Sequence, residues 1–257
     1  MSRILYKYLD IDGAKCMIKN HNLQFTNAPQ LNDPFECHQK LIDYSKVVLS
    51  ENSKEPAGEI FAKKLRDNTW LCSLSEINDS ILMWAHYCKN HKGVCIGLDI
   101  YNVKECFHLT PQNKYFEPDL TVVQYKEIID CPTGDNIMDM VKYQWKTKAK
   151  AWEYEKEVRF VFPYPYMLPS SLERANSNTE REDKGGRKAH YYATLKPECF
   201  DSIYLGVNTD EAEKEWIIKY ARKMNPQIKL FQMKVDANAF RLNPEEIKPL
   251  NSDLSHD

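Results

Sequence analysis

The run Trp152-Glu-Tyr-Glu-Lys-Glu-Val-Arg-Phe160 sets three glutamates at alternate positions directly ahead of the apolar Val158, Phe160, Val161 and Phe162. Read as a strand, its period of two puts Glu153, Glu155, Glu157 and Arg159 on one face. Neighbours two apart on a strand stand about 6.5 to 7 Å from each other, a spacing whose repulsion is small in water and grows on desolvation. One reading is a solvated strand entrance with Arg159 and Lys156 as counter-ions. The other is a carboxylate pair at the mouth of a buried strand, in a cleft. There, one negative charge could stabilise an oxocarbenium-like transition state while the other orients or deprotonates the nucleophile, which is chemistry suited to glycosidic bonds. A restriction-type metal site fits less well, because it wants Glu-x-Lys and here Lys156 follows Glu155 directly.

Two further stretches carry groups of chemical interest. Thr69 to Tyr87 reads as a strand ending in Ser73-Leu-Ser75, then a helix capped by Asn78, Asp79 or Ser80 with Leu82, Met83 and Trp84 as its apolar body. His86 and His91 fall near the end of that helix, where an imidazolium is favoured, so a capping or core role is expected before a catalytic one. Leu23 to Glu36 contains Asn32-Asp33-Pro34, a turn signal, because the Asx side chains bond local backbone and Pro fixes φ. Turn geometry is the first reading there, with Asp33 and Glu36 within reach of a site. His86, Cys88, His91 and Cys95 offer four potential zinc ligands, but in none of the paired spacings of structural zinc sites, so no metal is expected.

The elements that must position these groups are short. Strands are expected at 4–9, 23–26, 69–74, 94–98, 121–125, 158–162, 201–207 and 228–235, and helices at 13–20, 45–67, 80–87, 136–149 and 210–224. The polar segment 170–188 reads as a mobile insertion and 251–257 as a disordered tail. Strands and helices mix without strict alternation, so residues 1–250 read as one α+β domain.

Composition limits the function classes. The 257 residues are 42% hydrophobic and 28% charged, as in ordinary globular proteins. Thirty-five Lys plus Arg against 37 Asp plus Glu leave a net charge of −2, so no whole-chain field draws the protein to nucleic acid or an anionic membrane. Eight scattered cysteines without a Cys-x-x-Cys pair read as reduced thiols. No apolar run approaches membrane-spanning length and no signal peptide is evident, so the expected address is cytoplasmic. With eight glycines and neither G-x-G-x-x-G nor a P-loop, any nucleotide site must use another scaffold.

Taken jointly, Leu5-Tyr-Lys-Tyr8, Phe25-Thr26 followed by Asn32-Asp-Pro-Phe-Glu36, Ser73-x-Ser-Glu76, Met83-Trp-Ala-His-Tyr87 with His91-x-Gly93, and Trp152-x-Tyr-Glu-x-Glu-x-Arg159 resemble the bacterial domain-of-unknown-function family numbered 2971, over about residues 5 to 240. That family name implies no activity. A second likeness does: the order of Tyr6 or Tyr8, Ser73-Leu-Ser75 and Glu155-Lys-Glu157 is similar to that of ADP-ribosyltransferases. The resemblance implies a central, partly split sheet flanked by helices and NAD as substrate. Glu157 would bind the nicotinamide ribose and stabilise the oxocarbenium ion. Glu155 would direct a macromolecular acceptor, protein or nucleic acid, or water. Ser73 and Ser75 would brace the site, Tyr6 or Tyr8 would face the nicotinamide or phosphates, and Trp84 and His86 would complete the NAD-binding set. The chain departs from that pattern where Tyr6 puts an aromatic ring in place of a cation. The expectation from another class is a non-catalytic recognition module, with the aromatics and Lys146, Lys148 and Lys150 as its binding face.

Overall fold

The computed structural model describes residues 4–43, 63, 65–100, 106–107, 118–133, 137–163 and 190–248. Most of the expected 45–67 helix, the 170–188 insertion and the 251–257 tail lie outside them. In chain order the elements are β1 (Ile4–Leu9), α1 (Ile11–Asn20), β2 (Asn22–Asn27), β3 (Thr69–Ser75), α2 (Ile81–Tyr87), β4 (Val94–Asp99), β5 (Asp119–Val122), β6 (Gln124–Lys126), α3 (Ile137–Lys146), β7 (Thr147–Ala149), β8 (Glu157–Pro163), β9 (His190–Thr194), β10 (Phe200–Leu205), α4 (Glu211–Met224), β11 (Lys229–Val235) and β12 (Leu242–Glu246), with short 3₁₀ turns between some of them. The fold is α+β, and it divides into two compact units, each assembled from separated stretches of chain.

The first unit comprises 1–21, 77–101 and 196–257. Its strands run in the order β12-β11-β10-β4-β1, antiparallel except for β10 and β11, which α4 links in parallel. The near-continuous apolar run of β4 is buried from Val94 to Leu98, as such a pattern requires. Side chains start the helices: Asp10 accepts from the Gly13 N–H at 2.8 Å, Ser80 from Met83 at 3.4 Å and Asp210 from Ala212 at 3.0 Å. Helix α2 packs on β1 through Trp84, whose ring meets Tyr8 edge-on at 5.5 Å.

The second unit comprises 22–76 and 102–195. Its strands run β5-β8-β3-β2-β9, all antiparallel, with β6 and β7 forming a separate parallel pair. Strand β8 lies between β3 and β5, and its Val158, Phe160, Val161 and Phe162 are all buried. Helix α3 lays Val141 and Trp145 against Leu71, Val161, Ala28 and Cys37.

Three expectations fail here for identifiable reasons. The helix expected to reach Ala149 stops at Lys146, although neither Gly nor Pro marks the spot. Its last carbonyls find side-chain partners instead: Tyr143 O accepts from Thr147 Oγ1 at 2.7 Å and Trp145 O from Arg159 at 2.9 Å. Residues 147–149 are thereby released as β7. The strand expected at 121–125 is two strands, because Val123 N–H bonds Glu157 O at 3.0 Å and the chain then leaves β8 for β7. Finally, 150–155 is a 3₁₀ turn ended by Lys156 in the left-handed region at φ 44°, so β8 begins only at Glu157. The single-face alignment of Glu153, Glu155, Glu157 and Arg159 is therefore corrected: only Glu157 and Arg159 share a strand face. Strands β9 and β12 had no counterpart in the sequence reading.

Candidate active site

Glu155 and Glu157 nevertheless meet, by a different route. The 3₁₀ turn leaves Glu153 exposed and turns Glu155 inward, while the start of β8 turns Glu157 inward. Both carboxylates reach the ammonium of Lys148 on β7, Glu155 Oε2 at 2.5 Å and Glu157 Oε2 at 2.9 Å. Glu36 Oε1 reaches the same ammonium at 2.8 Å. Arg159 grips Glu157 in a fork, Nε on Oε1 at 2.6 Å and Nη2 on Oε2 at 3.0 Å, and Nη2 also donates to Glu36 Oε1 at 2.8 Å. Three carboxylates and two cations thus form one cluster, in which the most exposed residue, Lys148, is at 5% and Arg159 at 0%. The solvated strand entrance is ruled out as a description of Glu155 and Glu157, and the counter-ion beside Arg159 is Lys148, since Lys156 is exposed.

Local sequence explains how each group arrives. The Asn32-Asp33-Pro34 turn forms as its residues require, with Asp33 Oδ1 accepting from Phe35 N at 2.9 Å and Asp33 O from Glu36 N at 3.1 Å, and it delivers Glu36 into the cluster. In the β3–β8 pairing Ser73 lies opposite Arg159 and Ser75 opposite Glu157. Ser75 Oγ donates to Glu155 O at 2.6 Å and Ser73 hydrogen-bonds the Glu157 carboxylate, so both serines brace the pair. Tyr125 on β6 accepts the Glu157 N–H at 2.8 Å.

These contacts set the charges. Burial alone would raise the Glu157 carboxyl. The Arg159 and Lys148 charges and the hydrogen bonds from Arg159 and Ser73 outweigh it and hold that carboxyl well below its usual range. Burial would lower Lys148 and Arg159, but Glu157 and Glu36 raise both above their ordinary values. Burial pushes the neighbouring Tyr125 hydroxyl and Cys37 thiol each up to about 12. At neutral pH the cluster holds an ionised Glu157 beside two protonated cations. Trp152 presents its ring 4.9 Å from the Lys148 ammonium and stands 6.1 Å from Tyr154, giving the cluster an aromatic neighbour.

The remaining expected site residues lie in the first unit, whereas the carboxylates lie in the second. Tyr8 is buried and donates to Ile77 O at 3.0 Å; Trp84 is fully buried and donates to Asn78 O at 2.8 Å. Both pack in the core and hold the 77–78 loop through those bonds. Tyr6 is half-buried and hydrogen-bonded to Tyr204, and burial first, then Tyr204, raises its hydroxyl. His86 is exposed with its ring 6.4 Å from Tyr87. His91 sits past α2 at φ 62°, and burial lowers its imidazole, against the expectation of a cation there. Lys146, Lys148 and Lys150 do not form a common solvent face, because Lys148 is buried in the cluster. Among the described residues no group of His, Cys, Asp and Glu is arranged to hold a metal ion, and no helix is long and apolar enough to cross a membrane. Lys148 is a member of the site that periodicity does not single out; its one signal in the sequence is the alternation of Lys146, Lys148 and Lys150 just ahead of Trp152.

The fold and site define an α+β protein whose second unit encloses a braced carboxylate pair. Residues 83–160 match the model of the family described as protein of unknown function (DUF2971), the family that the motifs resemble, over a narrower span than those motifs suggest. That span contains Lys148, Glu155, Glu157 and Arg159, while Glu36, Ser73 and Ser75 lie ahead of it. No curated protein and no solved structure matches the chain.

Proposed function

We propose that the protein consumes NAD in the cytoplasm, cleaving the nicotinamide glycosidic bond and passing ADP-ribose to a protein or nucleic-acid acceptor or to water. The observation that carries this reading is the register of β3 on β8: Ser73-x-Ser75 and Glu155-x-Glu157, 80 residues apart, meet so that one serine bonds the Glu157 carboxylate and the other the Glu155 carbonyl. A group that stabilises an oxocarbenium ion must be anionic, and Glu157 is held anionic by its neighbours. In this reading Glu157 faces the developing cation and Glu155 steers the nucleophile. Tyr8 and Trp84, spent on the core of the first unit, do not fit as NAD contacts. The reading assigns the planar ring of the substrate to Trp152 and Tyr154 instead. For a ribose hydroxyl to reach Glu157, it must replace one of the bonds from Lys148 or Arg159.

The enclosure of Glu157, at 2% exposure, favours a second reading, in which the cluster anchors a recognition module and performs no reaction. One experiment separates the two. Purified protein and its Glu157→Gln, Glu155→Gln and Glu153→Gln variants are incubated with NAD, nicotinamide release and label transfer are measured, and circular dichroism checks folding. Glu157→Gln leaves two carboxylates against two cations, so the fold is expected to survive while release falls on the order of 10²-fold or more. Glu155→Gln should impair transfer more than hydrolysis, and the exposed Glu153→Gln should change little. Equal release from all four proteins, or none from the wild type, would leave the recognition module as the better reading.

A further inference from the structure

The Lys148 ammonium donates to Glu155 at 2.5 Å and to Glu157 at 2.9 Å, and it forms an ion pair with Glu36 at 2.8 Å, so three carboxylates converge on it. Arg159 joins Glu36 to Glu157, and Lys148 ties Glu155 to both. The ammonium arrives on β7, a three-residue strand that exists because α3 ends at Lys146. Its approach is bounded by the Trp152 ring, with Tyr125 and Tyr154 as the nearby hydroxyls and Cys37 beside Glu36 and Arg159.

We propose that Lys148 is the positioning residue of the site, drawing Glu36, Glu155 and Glu157 onto one point and so fixing how the Glu155 and Glu157 side chains stand towards each other. The assignment rests on the reading of Glu155 and Glu157 as the working pair. A lysine that held no carboxylate in place could be replaced by an apolar side chain of similar length at a cost independent of pH. A positioning lysine could not. Without the ammonium, carboxylates that converge on the same point become like charges in a dry site, and one of them takes up a proton. Its pKa in the folded state then lies above the unfolded value. Stability is retained below the ordinary carboxylate range and lost as the pH rises through the raised value.

The test compares wild type, Lys148→Arg, Lys148→Met and Lys148→Met/Glu155→Gln by thermal melting from pH 5 to 8, and by nicotinamide release over the same range. Wild type and Lys148→Arg should melt at nearly constant temperature. Lys148→Met should melt several degrees lower at pH 8 than at pH 5, and its release rate should climb with pH as the shared proton leaves. The double variant restores the wild-type excess of one negative charge and should melt with a flat profile. A loss in Lys148→Met of equal size at every pH would overturn the proposal, as would a double variant as pH-sensitive as the single one. Should Lys148→Met fail to fold, the double variant decides: folding with a flat profile supports the proposal, and failure to fold sinks it. The melting profiles need no activity. Absence of nicotinamide release from the wild type would therefore count against the NAD reading, while the profiles still decide whether Lys148 holds the three carboxylates together.

Discussion

Replacing Arg159 by Met keeps most of the length of the side chain and removes only the guanidinium, so little of the effect comes from lost packing. The guanidinium is completely enclosed and donates to Glu157 at 2.6 and 3.0 Å, to Glu36 at 2.8 Å and to the Trp145 carbonyl at 2.9 Å. Its loss leaves three carboxylates facing Lys148 alone. Breaking a buried pair from one side typically costs about 3–5 kcal/mol, because the partner is left charged and unsolvated. Set against a total stability of roughly 5–15 kcal/mol, that is enough to lower the melting temperature by about 10 °C in a body of this size. The comparison is Lys150→Met in the same unit, whose ion pair with Glu127 is 3.6 Å long and mostly exposed. That pair should be worth less than about 1 kcal/mol. Arg159→Met/Glu157→Gln should recover a good part of the loss, since both members of the fork go together. Urea unfolding followed by tryptophan fluorescence is a direct assay, because Trp145 is one of the partners that Arg159 holds. A loss for Arg159→Met no larger than that for Lys150→Met would refute the picture of an enclosed ionic cluster.

Much of the fold was legible because it is written in local patterns. β1, β3, β4, β8, β11, α2 and α4 announce themselves through apolar runs and side-chain caps, and each lies within a residue or two of its expected place. What was not legible is where the chain stops one element for reasons that lie far off in sequence. Helix α3 ends where Arg159, 14 residues on, takes the Trp145 carbonyl, and the 121–125 segment splits because its two halves pair with different strands. Strand β12, with Pro244 and two glutamates, has none of the composition of a strand and is held by its pairing with β11.

The site was half legible in a similar way. Glu155 and Glu157 were identified, but from a strand alternation that does not exist; they converge because a 3₁₀ turn and the αL residue Lys156 re-aim the chain between them. Glu36 was reachable only as a residue beside a strong turn, and Lys148 was read as one of three surface cations. Neither charge could be placed by periodicity, because burial of an ion depends on partners supplied by other elements: 123 residues separate Glu36 from Arg159. The aromatic positions illustrate the opposite difficulty. Tyr8 and Trp84 are typical core residues in a plausible motif, and the structure uses them as core.

Three further outcomes follow from the same contacts. Ser75→Ala removes a fully buried donor and leaves the Glu155 carbonyl unpaired by it, so stability should fall by about 1–3 kcal/mol in urea unfolding, and an unchanged midpoint would show that the brace carries no load. Because each unit is built from interleaved stretches, a single proteolytic cut between 170 and 188 should leave the fragments associated on gel filtration under native conditions; their separation into two stable pieces would contradict the described connectivity. The last outcome concerns acid. Burial would raise the Glu157 carboxyl, but Arg159, Lys148 and Ser73 hold it below its usual range, so the folded protein binds this proton less readily than the unfolded chain. The stabilisation is then complete above the ordinary glutamate value of about 4.3 and drains away as the pH falls below it. Glu157→Gln has no such proton to take up. Between pH 7 and 5 its melting temperature and that of the wild type should run parallel, and below pH 5 the wild type should fall more steeply, narrowing the gap between them. Curves that stay parallel down to pH 3 would mean that Glu157 gains nothing from its cations, and the account of the cluster as an ionised, mutually compensated group would have to be abandoned.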